Sequence, residues 1–282
     1  MQQLNPCILC KTSDRRLIHK RGPWQYLCCL NCGLVTLHPK PAAQDLIKGY
    51  DDYLPVQPEE IDQWGDMMKP VIQTSADLIE SQVRIHNGRI LDVGCGYGFF
   101  LGEMASRGWQ VEGVEISPTG RAYAIQTWGM EVHSQPLEEL GLPESHFDVI
   151  TLFYLIEHVS DPIGLLKEVY RLLKPGGLIF LRWPNSTPII RLLGPFSRCL
   201  DLYHTPYHLF DFNPQTIKTL LTLCGFKDTQ TRIGGHTLPH DQLGKWASKF
   251  FGWMGETLFS ASGGRILLPG VSKSTYGFKK YY

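Results

Sequence analysis

The sequence predicts an α/β fold: a doubly wound sheet of apolar strands and amphipathic helices, with a small cysteine-bearing module in front of it. Three observations carry that expectation. Two Cys-x-x-Cys pairs lie within the first 32 residues. A strand–glycine turn–helix pattern runs from Arg89 to Phe100. Further apolar strands follow, one ending in Glu115 and one starting at Phe147, and the latter leads into a helical pattern. A chain of 282 residues has room for one large domain and an appendage, and its formal net charge is zero. Nothing global therefore draws it towards nucleic acid or an anionic membrane.

The appendage, residues 1–40, comes first. Cys7-Ile-Leu-Cys10 and Cys29-Leu-Asn-Cys32 are separated by eighteen residues. Four thiolates so spaced can close on one tetrahedral ion, and zinc suits that soft, redox-silent site. The competing reading is four buried structural thiols. The N-terminus is polar, lacks a signal-peptide core, and no apolar run is long enough to span a bilayer. A cytoplasmic protein is expected, where thiols stay reduced and paired cysteines suggest metal before disulfide. Gly33 fits the tight turn after the second pair. Trp24, Tyr26 and Leu27 suit a short hairpin, too small to form a core, so zinc would supply its folding energy. Cys28 is read as a spare. Lys11, Arg15, Arg16, Lys20, Arg21 and Lys40 face Asp14 alone, so the module is basic. Residues 41–75, acidic between Asp51 and Asp66, are read as a linker and a helical lead-in.

The large domain, residues 76–282, starts with Ile90, Leu91 and Val93 as a buried strand. Gly94, Gly96 and Gly98 follow at alternate positions, and a helical pattern begins at Phe99. Such a turn opens a ligand crevice at the carboxyl edge of a doubly wound sheet. A nicotinamide site is the obvious rival, but its G-x-G-x-x-G spacing is not kept here. Asp92 would also repel a pyrophosphate. Beside the ammonium of S-adenosylmethionine its charge is useful. Trp109 to Ser117 holds a second strand that ends in Glu115, nineteen residues beyond Gly96. A carboxylate there can accept from both hydroxyls of a ribose; a solvated strand end is the plain alternative. Phe147 to Leu152 is a third apolar strand running out into Glu157-His158. After Asp161-Pro162, Leu165, Leu166, Val169 and Leu172 keep helical spacing up to the break Lys174-Pro-Gly-Gly177, and Leu178–Leu181 is the next strand.

In order and spacing, "LDVGCGYG", "VEGVEIS", "FDVITLFYLIEHVSDP" and "LLKPGGLIFL" resemble the class I S-adenosylmethionine-dependent methyltransferases, over about residues 76–230. The N-terminal "CILC … CLNCGLVTLHPKP … YDDYL" is similar to bacterial members that carry a zinc ribbon. The resemblance implies a Rossmann-like, seven-stranded sheet. It implies that Gly94, Cys95, Gly96 and Gly98 cradle the methionine part, that Asp92 orders its amino group, and that Glu115, with Ile116 beside it, holds the ribose. Gln135 would take the adenine side, where many members carry an acidic residue, and the Phe153 backbone would face the methionine end.

Methyl transfer needs a positioned acceptor and, for a hydroxyl or carbon acid, a base. His158 is the first candidate, against a structural role bracing the next helix. Some quinone O-methyltransferases have E-x-x-E-H here with a divalent metal; Tyr154 stands in place of the first Glu, so no catalytic metal is expected. His208, in an acceptor-side insertion near 183–213, is the second candidate. It competes with a role of holding that segment to a helix capped by Asn213 and opened by Pro214. A second insertion, near 235–270, carries Leu243, Trp246, Ala247, Phe250, Phe251, Met254 and Leu258 at helical spacing. Packing over the sheet or pocket is the plain expectation. Contact of 242–260 with a membrane or a lipid-linked acceptor is the sharper one.

The functional expectation is methylation, on oxygen or carbon, of a small molecule: a sugar, lipid or secondary metabolite. An RNA methyltransferase gripping RNA through the basic module is the rival, disfavoured by neutral charge. A cofactor-binding pseudo-enzyme is the second rival.

Overall fold

A computed structural model describes residues 5–42, 46, 55–85, 87–268 and 272–281. Parts of the acidic stretch after Asp51 lie outside the described residues.

The large sheet has the order β10-β11-β8-β7-β4-β5-β6. Its members are β4 (Arg89–Val93), β5 (Gln110–Val114), β6 (Glu131–His133), β7 (Phe147–Phe153), β8 (Leu173–Trp183), β10 (Lys227–Ile233) and β11 (Lys273–Phe278). Strands β6, β5, β4, β7 and β8 pair in parallel, and β11 runs antiparallel between β8 and β10. Central strands covered on both faces read as continuous apolar runs, as "FDVITLF" does, with six of its seven residues buried. The order reverses beside β4, so the loop after β4 opens into the crevice where such sheets take ligands.

Helices cover both faces. One face carries α1 (Pro58–Gln82), α2 (Phe99–Ser106) and α3 (Pro118–Trp128), packed through Val71, Ala76, Ile79, Leu101 and Ala124. The opposite face carries α4 (Pro162–Leu172) and α6 (Pro214–Leu223), packed through Leu166, Val169, Ile217 and Leu220. Each of these side chains is out of water, which stabilises by about 1.5–3 kcal/mol for a Val, Leu or Ile. Pro58 opens α1 with Glu59 and Glu60 in its first turn, where the helix dipole favours acids. At 25 residues, α1 crosses the expected boundary at residue 75 without a break.

The N-terminal module is a small antiparallel sheet of β1 (Arg15–Arg21), β2 (Trp24–Cys29) and β3 (Val35–His38). The hairpin expected around Trp24 and Tyr26 is β1–β2. A fourth strand joins it from the large domain: β9 (Phe210–Asp211) pairs with β3 through Val35↔Asp211 and Thr36↔Phe210. Cys7, Tyr26, Leu34 and Val35 pack in one continuous core with Phe210 and Phe212 of the segment around β9. The module is thus docked on the body rather than tethered to it.

Asn213 caps α6 as expected, its Oδ1 accepting from the amides of Gln215 and Thr216 while Thr216 reaches back. The last helix, α7 (Gln242–Ala261), departs from the plain expectation. Only Gly252 and Gly255 are buried on it, while Leu243, Trp246, Phe250, Phe251 and Trp253 are exposed. A Cβ at Gly252 would stand 2.8 Å from His236 Nδ1, and one at Gly255 would stand 3.0 Å from Ile233 Cδ1. The helix therefore packs by Gly252 and Gly255, with Met254 and Leu258 half-buried, and turns Leu243, Trp246, Phe250, Phe251 and Trp253 outward.

Candidate active site

A cleft of about 880 Å³ opens at the carboxyl edge of the large sheet. That lies within the range of small-molecule and cofactor sites. The loop after β4, the end of β5, the end of β7 and the two insertions all contribute to its lining.

The glycine loop is held open by its own backbone. Gly94 and Cys95 donate their amides to Val114 O at 2.7 and 3.1 Å, tying the loop to β5. Gly96 has φ of +55°, and a Cβ built there would meet nothing within 4 Å. Its missing side chain leaves room in the cleft for a ligand to approach the backbone. Gly98 has a different task. It is the left-handed N-cap of α2, packs against Ala124 and Trp128, and does not line the cleft. Cys95 lines the cleft but its sulfur is buried over Gly113, where a Cβ would approach it to 2.7 Å.

Two carboxyl groups face this loop. Asp92 is buried and accepts a 2.6 Å hydrogen bond from Thr151 Oγ1. Burial pushes its pKa up to about 7, against the pull of that hydroxyl and with the help of the Glu115 charge. An ammonium set beside it would return it to the anion. Glu115 already works within the protein. Its Oε2 accepts from Gly96 N at 2.8 Å and its Oε1 from Ser117 N at 2.7 Å. Burial raises its pKa, and these two amides oppose the rise. Each oxygen keeps a second lone pair, so the carboxylate can brace the loop and still accept from two hydroxyls. The spacing of Glu115 from Gly96 was legible in the sequence, but not this bracing role.

Ile116 and Phe153 line the same cleft, Phe153 packing against Phe100 with ring centroids 4.6 Å apart. Gln135 is exposed and outside the lining; Pro136, Leu137 and Glu138 stand there instead. Sequence reasoning also missed Trp64 of α1 and Tyr97. Their rings meet edge to face at 6.0 Å, and both line the cleft. For Trp64 the signal available was only an aromatic residue in the presumed lead-in, which does not say where a helix docks; Tyr97 stood in view between Gly96 and Gly98.

Glu157, His158 and His208 converge in the cleft beyond the end of β7. One ligand atom from each lies within 4.8 Å of the others, a spacing at which a cation can be held. His158 Nδ1 lies 3.0 Å from Tyr207 O, so that nitrogen carries the proton and Nε2 keeps a lone pair, 4.0 Å from Glu157 Oε1. The rings of His158 and His208 stand nearly perpendicular, 4.7 Å apart. Burial lowers the pKa of His158 to about 4 and that of His208 well below its ordinary value, so both are neutral near pH 7. Burial raises Glu157 to about 8, with the Asp211 charge adding to it, and neither of its oxygens meets a hydrogen-bond partner among the described residues. Tyr154, where a further Glu stands in some relatives, sits in the left-handed region at φ +52° and accepts from Arg182 Nε at 2.7 Å. The third potential ligand thus comes from His208, about fifty residues away in sequence, which no local motif could reveal.

The four predicted metal-site cysteines also meet. Cys7 and Cys32 sulfurs are 3.5 Å apart, and those of Cys10 and Cys29 are 3.4 Å apart. These separations are far beyond a disulfide bond and close to the edge of a tetrahedron around one zinc. Burial opposes ionisation of Cys10, but the Thr12 amide, Asn31 and the neighbouring thiols bring it down to about 6, whereas burial pushes the Cys7 and Cys32 thiols up, so only a bound cation would hold all four as thiolates. The donor set fits zinc, and Cys28 stands outside it, pointing to the carbonyls of Cys29 and Gly33.

The module reaches the histidines directly. The Tyr26 ring stacks on Tyr203 at 3.9 Å, and its hydroxyl lies 3.2 Å from Thr205 Oγ1 and 3.4 Å from His208 O. Asp211 of β9 accepts from the amides of Ser186 and Thr187 at 2.9 and 3.0 Å, at the start of α5 (Thr187–Leu193). One strand pairing therefore fixes both the His208 segment and the first turn of α5.

Known proteins are similar to the chain in sequence over part of its length and in fold. Two ubiquinone biosynthesis O-methyltransferases are similar over part of their length. The one from Pseudomonas putida is 35% identical over 141 residues, 48% of this chain and 60% of its own. The one from Xanthomonas campestris is 33% identical over 118 residues, 40% of this chain and 49% of its own. The chain thus spans about half the length of the curated relatives it matches. Among solved structures, a SAM-dependent methyltransferase from Thermotoga maritima superposes with a TM-score of 0.54 at 18% identity, covering 83% of this chain and all of that one. Another, from Archaeoglobus fulgidus, gives 0.51 at 21% identity, covering 74% and 94%. These likenesses concern the fold. The model of the methyltransferase domain matches residues 60–231, more than half of the chain, and the protein belongs to that methyltransferase family.

Proposed function

We propose that the protein transfers a methyl group from S-adenosylmethionine to oxygen or carbon of a small, largely apolar acceptor. The observation that carries the reading is the convergence of Asp92, the open loop at Gly96 and Glu115 on one cleft whose other end holds His158 and His208. S-adenosylmethionine, when bound, supplies a methyl group already activated on a sulfonium. The chain's own work is then placement and proton handling. Asp92 pairs with the ammonium, and Glu115 accepts from the ribose hydroxyls. Gly94, Cys95 and Gly96 offer backbone, Phe153 and Ile116 flank the ligand, and Glu138 is better placed than Gln135 for the adenine amine. His158 and His208, neutral near pH 7, can take the proton that an acceptor hydroxyl or carbon acid gives up. Zinc on Cys7, Cys10, Cys29 and Cys32 would hold the module in shape and take no part in transfer.

The acceptor class rests on the apolar cleft and on the two O-methyltransferase relatives. Incubation of the protein with a methyl-labelled donor and a fractionated small-molecule extract should label an apolar fraction. The His158→Ala variant should lose that label while still binding the donor. Label confined to RNA would reject the acceptor class.

A further inference from the structure

The cleft holds a buried carboxyl group that neither donor binding nor proton transfer uses. Glu157 is 1% exposed, and neither of its oxygens meets a hydrogen-bond partner among the described residues. No lysine or arginine pairs with it there either; its ion-pair neighbour is His158, whose Nε2 is 4.0 Å from Oε1. A carboxyl group taken from water and given no donor is costly, because nothing offsets its desolvation. His208 repeats the pattern. It is 5% exposed, and its Nδ1 is buried without a partner among the described residues. Two unmatched polar groups from separate segments thus converge on one point, and both line the cleft.

The backbone keeps them there. The amides of Leu209 and Phe210 donate to Glu157 O at 2.8 and 3.1 Å, and Tyr207 O takes the Nδ1 proton of His158 at 3.0 Å. These bonds clasp the chain after β7 to both sides of His208. Leu37 of β3 donates to Leu209 O at 2.9 Å, so the clasp is anchored on the cysteine module. A carbonyl that holds Nδ1–H leaves Nε2 as the ligand atom, which is how metal-bound imidazoles are commonly oriented.

We infer that Glu157, His158 and His208 bind one divalent transition-metal ion in the cleft. One ligand atom of each lies within 4.8 Å of the others. A cation about 2.1 Å from each draws them to about 3–3.4 Å apart, a closure on the order of 1 Å that rotation of the Glu157 side chain can provide. Two nitrogens and one oxygen select ions such as Mn²⁺, Co²⁺ or Zn²⁺ over Mg²⁺ and Ca²⁺, which take oxygen ligands. Three protein ligands on the wall of a cleft leave a coordination position open. Tyr154 takes away a local ligand, and His208 supplies one from outside the motif. A bound ion occupies the imidazole lone pairs, so the histidines then hold rather than deprotonate. An acceptor hydroxyl on the open position loses its proton to solvent more readily. That extension rests on the methyl-transfer reading; cation binding does not.

Titration of the untagged full chain with Mn²⁺ tests this, after one equivalent of zinc has filled the cysteine site. Bound ion is read from loss of the aqueous Mn²⁺ resonance signal. One Mn²⁺ should bind per chain, and excess Mg²⁺ should not displace it. Glu157→Gln and His208→Leu should each weaken binding by more than the roughly tenfold that loss of an outer-shell partner costs. Mn²⁺ should raise the melting temperature of wild type and leave that of Glu157→Gln unmoved. A cooperative melt of the metal-free Glu157→Gln variant shows that it is folded. Mn²⁺ that stays free beside wild type would overturn the inference. So would equal binding by wild type and Glu157→Gln, which places the ion elsewhere. Wild type that binds S-adenosylmethionine but no Mn²⁺ loses the cation site and keeps the transfer reading; binding of Mn²⁺ here without S-adenosylmethionine does the reverse.

Discussion

Glu157 is a carboxyl group placed where nothing in the described structure hydrogen-bonds it, between two neutral histidines. Its environment has a measurable consequence. In the unfolded chain it ionises near its ordinary 4.5, whereas in the fold it keeps its proton up to about 8. The stability linked to it is therefore full below pH 4.5 and is lost as pH rises towards 8. Glu157→Gln removes that dependence. Measured without added divalent metal, the variant should melt close to wild type near pH 5 and above it at pH 8, by an amount worth a few kcal/mol. A constant difference across that range would show that Glu157 is solvated or paired. Asp92 and Glu115 were legible as crevice residues from strand context and spacing, because the ends of adjacent parallel strands beside a glycine turn open on one cleft. Glu157 and His208 were legible only as residue types, because their meeting depends on a segment that folds back from after β8.

The element that fixes the His208 segment is β9, two residues long, which no periodicity could have announced. By pairing with β3 it joins the cysteine module to the loop that carries His204 and His208. Tyr26 is the contact most exposed to test, since its ring and hydroxyl both reach that loop. Tyr26→Ala should cost about 3 kcal/mol, as large core truncations do. Tyr26→Phe keeps the stack and should cost about 1 kcal/mol. Hydrogen exchange should quicken at residues 203–212 in the Ala variant and stay near wild type in the β4–β5 loop. Equal quickening in both regions would mean that the module supports the fold as a whole and not this loop. Helix α7 teaches the complementary lesson. Its period was plain in the sequence, but the side facing the body was not, since a glycine stripe competes with an aromatic one for the interior. Close approach of the helix to His236 and Ile233 settled it in favour of the glycines.

At the scale of the whole molecule, the α/β class and the glycine loop followed from short-range patterns of apolar strands and turns, and the seven-stranded sheet from the family resemblance; the strand order is a finding of the structure. The docking of the module and the role of α1 in the cleft were not legible either, because they depend on long-range packing. The central claim is that the cleft binds S-adenosylmethionine through Asp92 and Glu115. Isothermal titration of the purified chain with S-adenosylmethionine tests it most directly. Because burial holds Asp92 near 7 before binding, affinity should rise with pH from about 5.5 to about 7, with proton release to the buffer over that range. Asp92→Asn should weaken binding by about 1.5–3 kcal/mol, the worth of a hydrogen bond to a charged group, and should abolish that proton release. No binding by wild type, or equal binding by wild type and Asp92→Asn, would contradict the account.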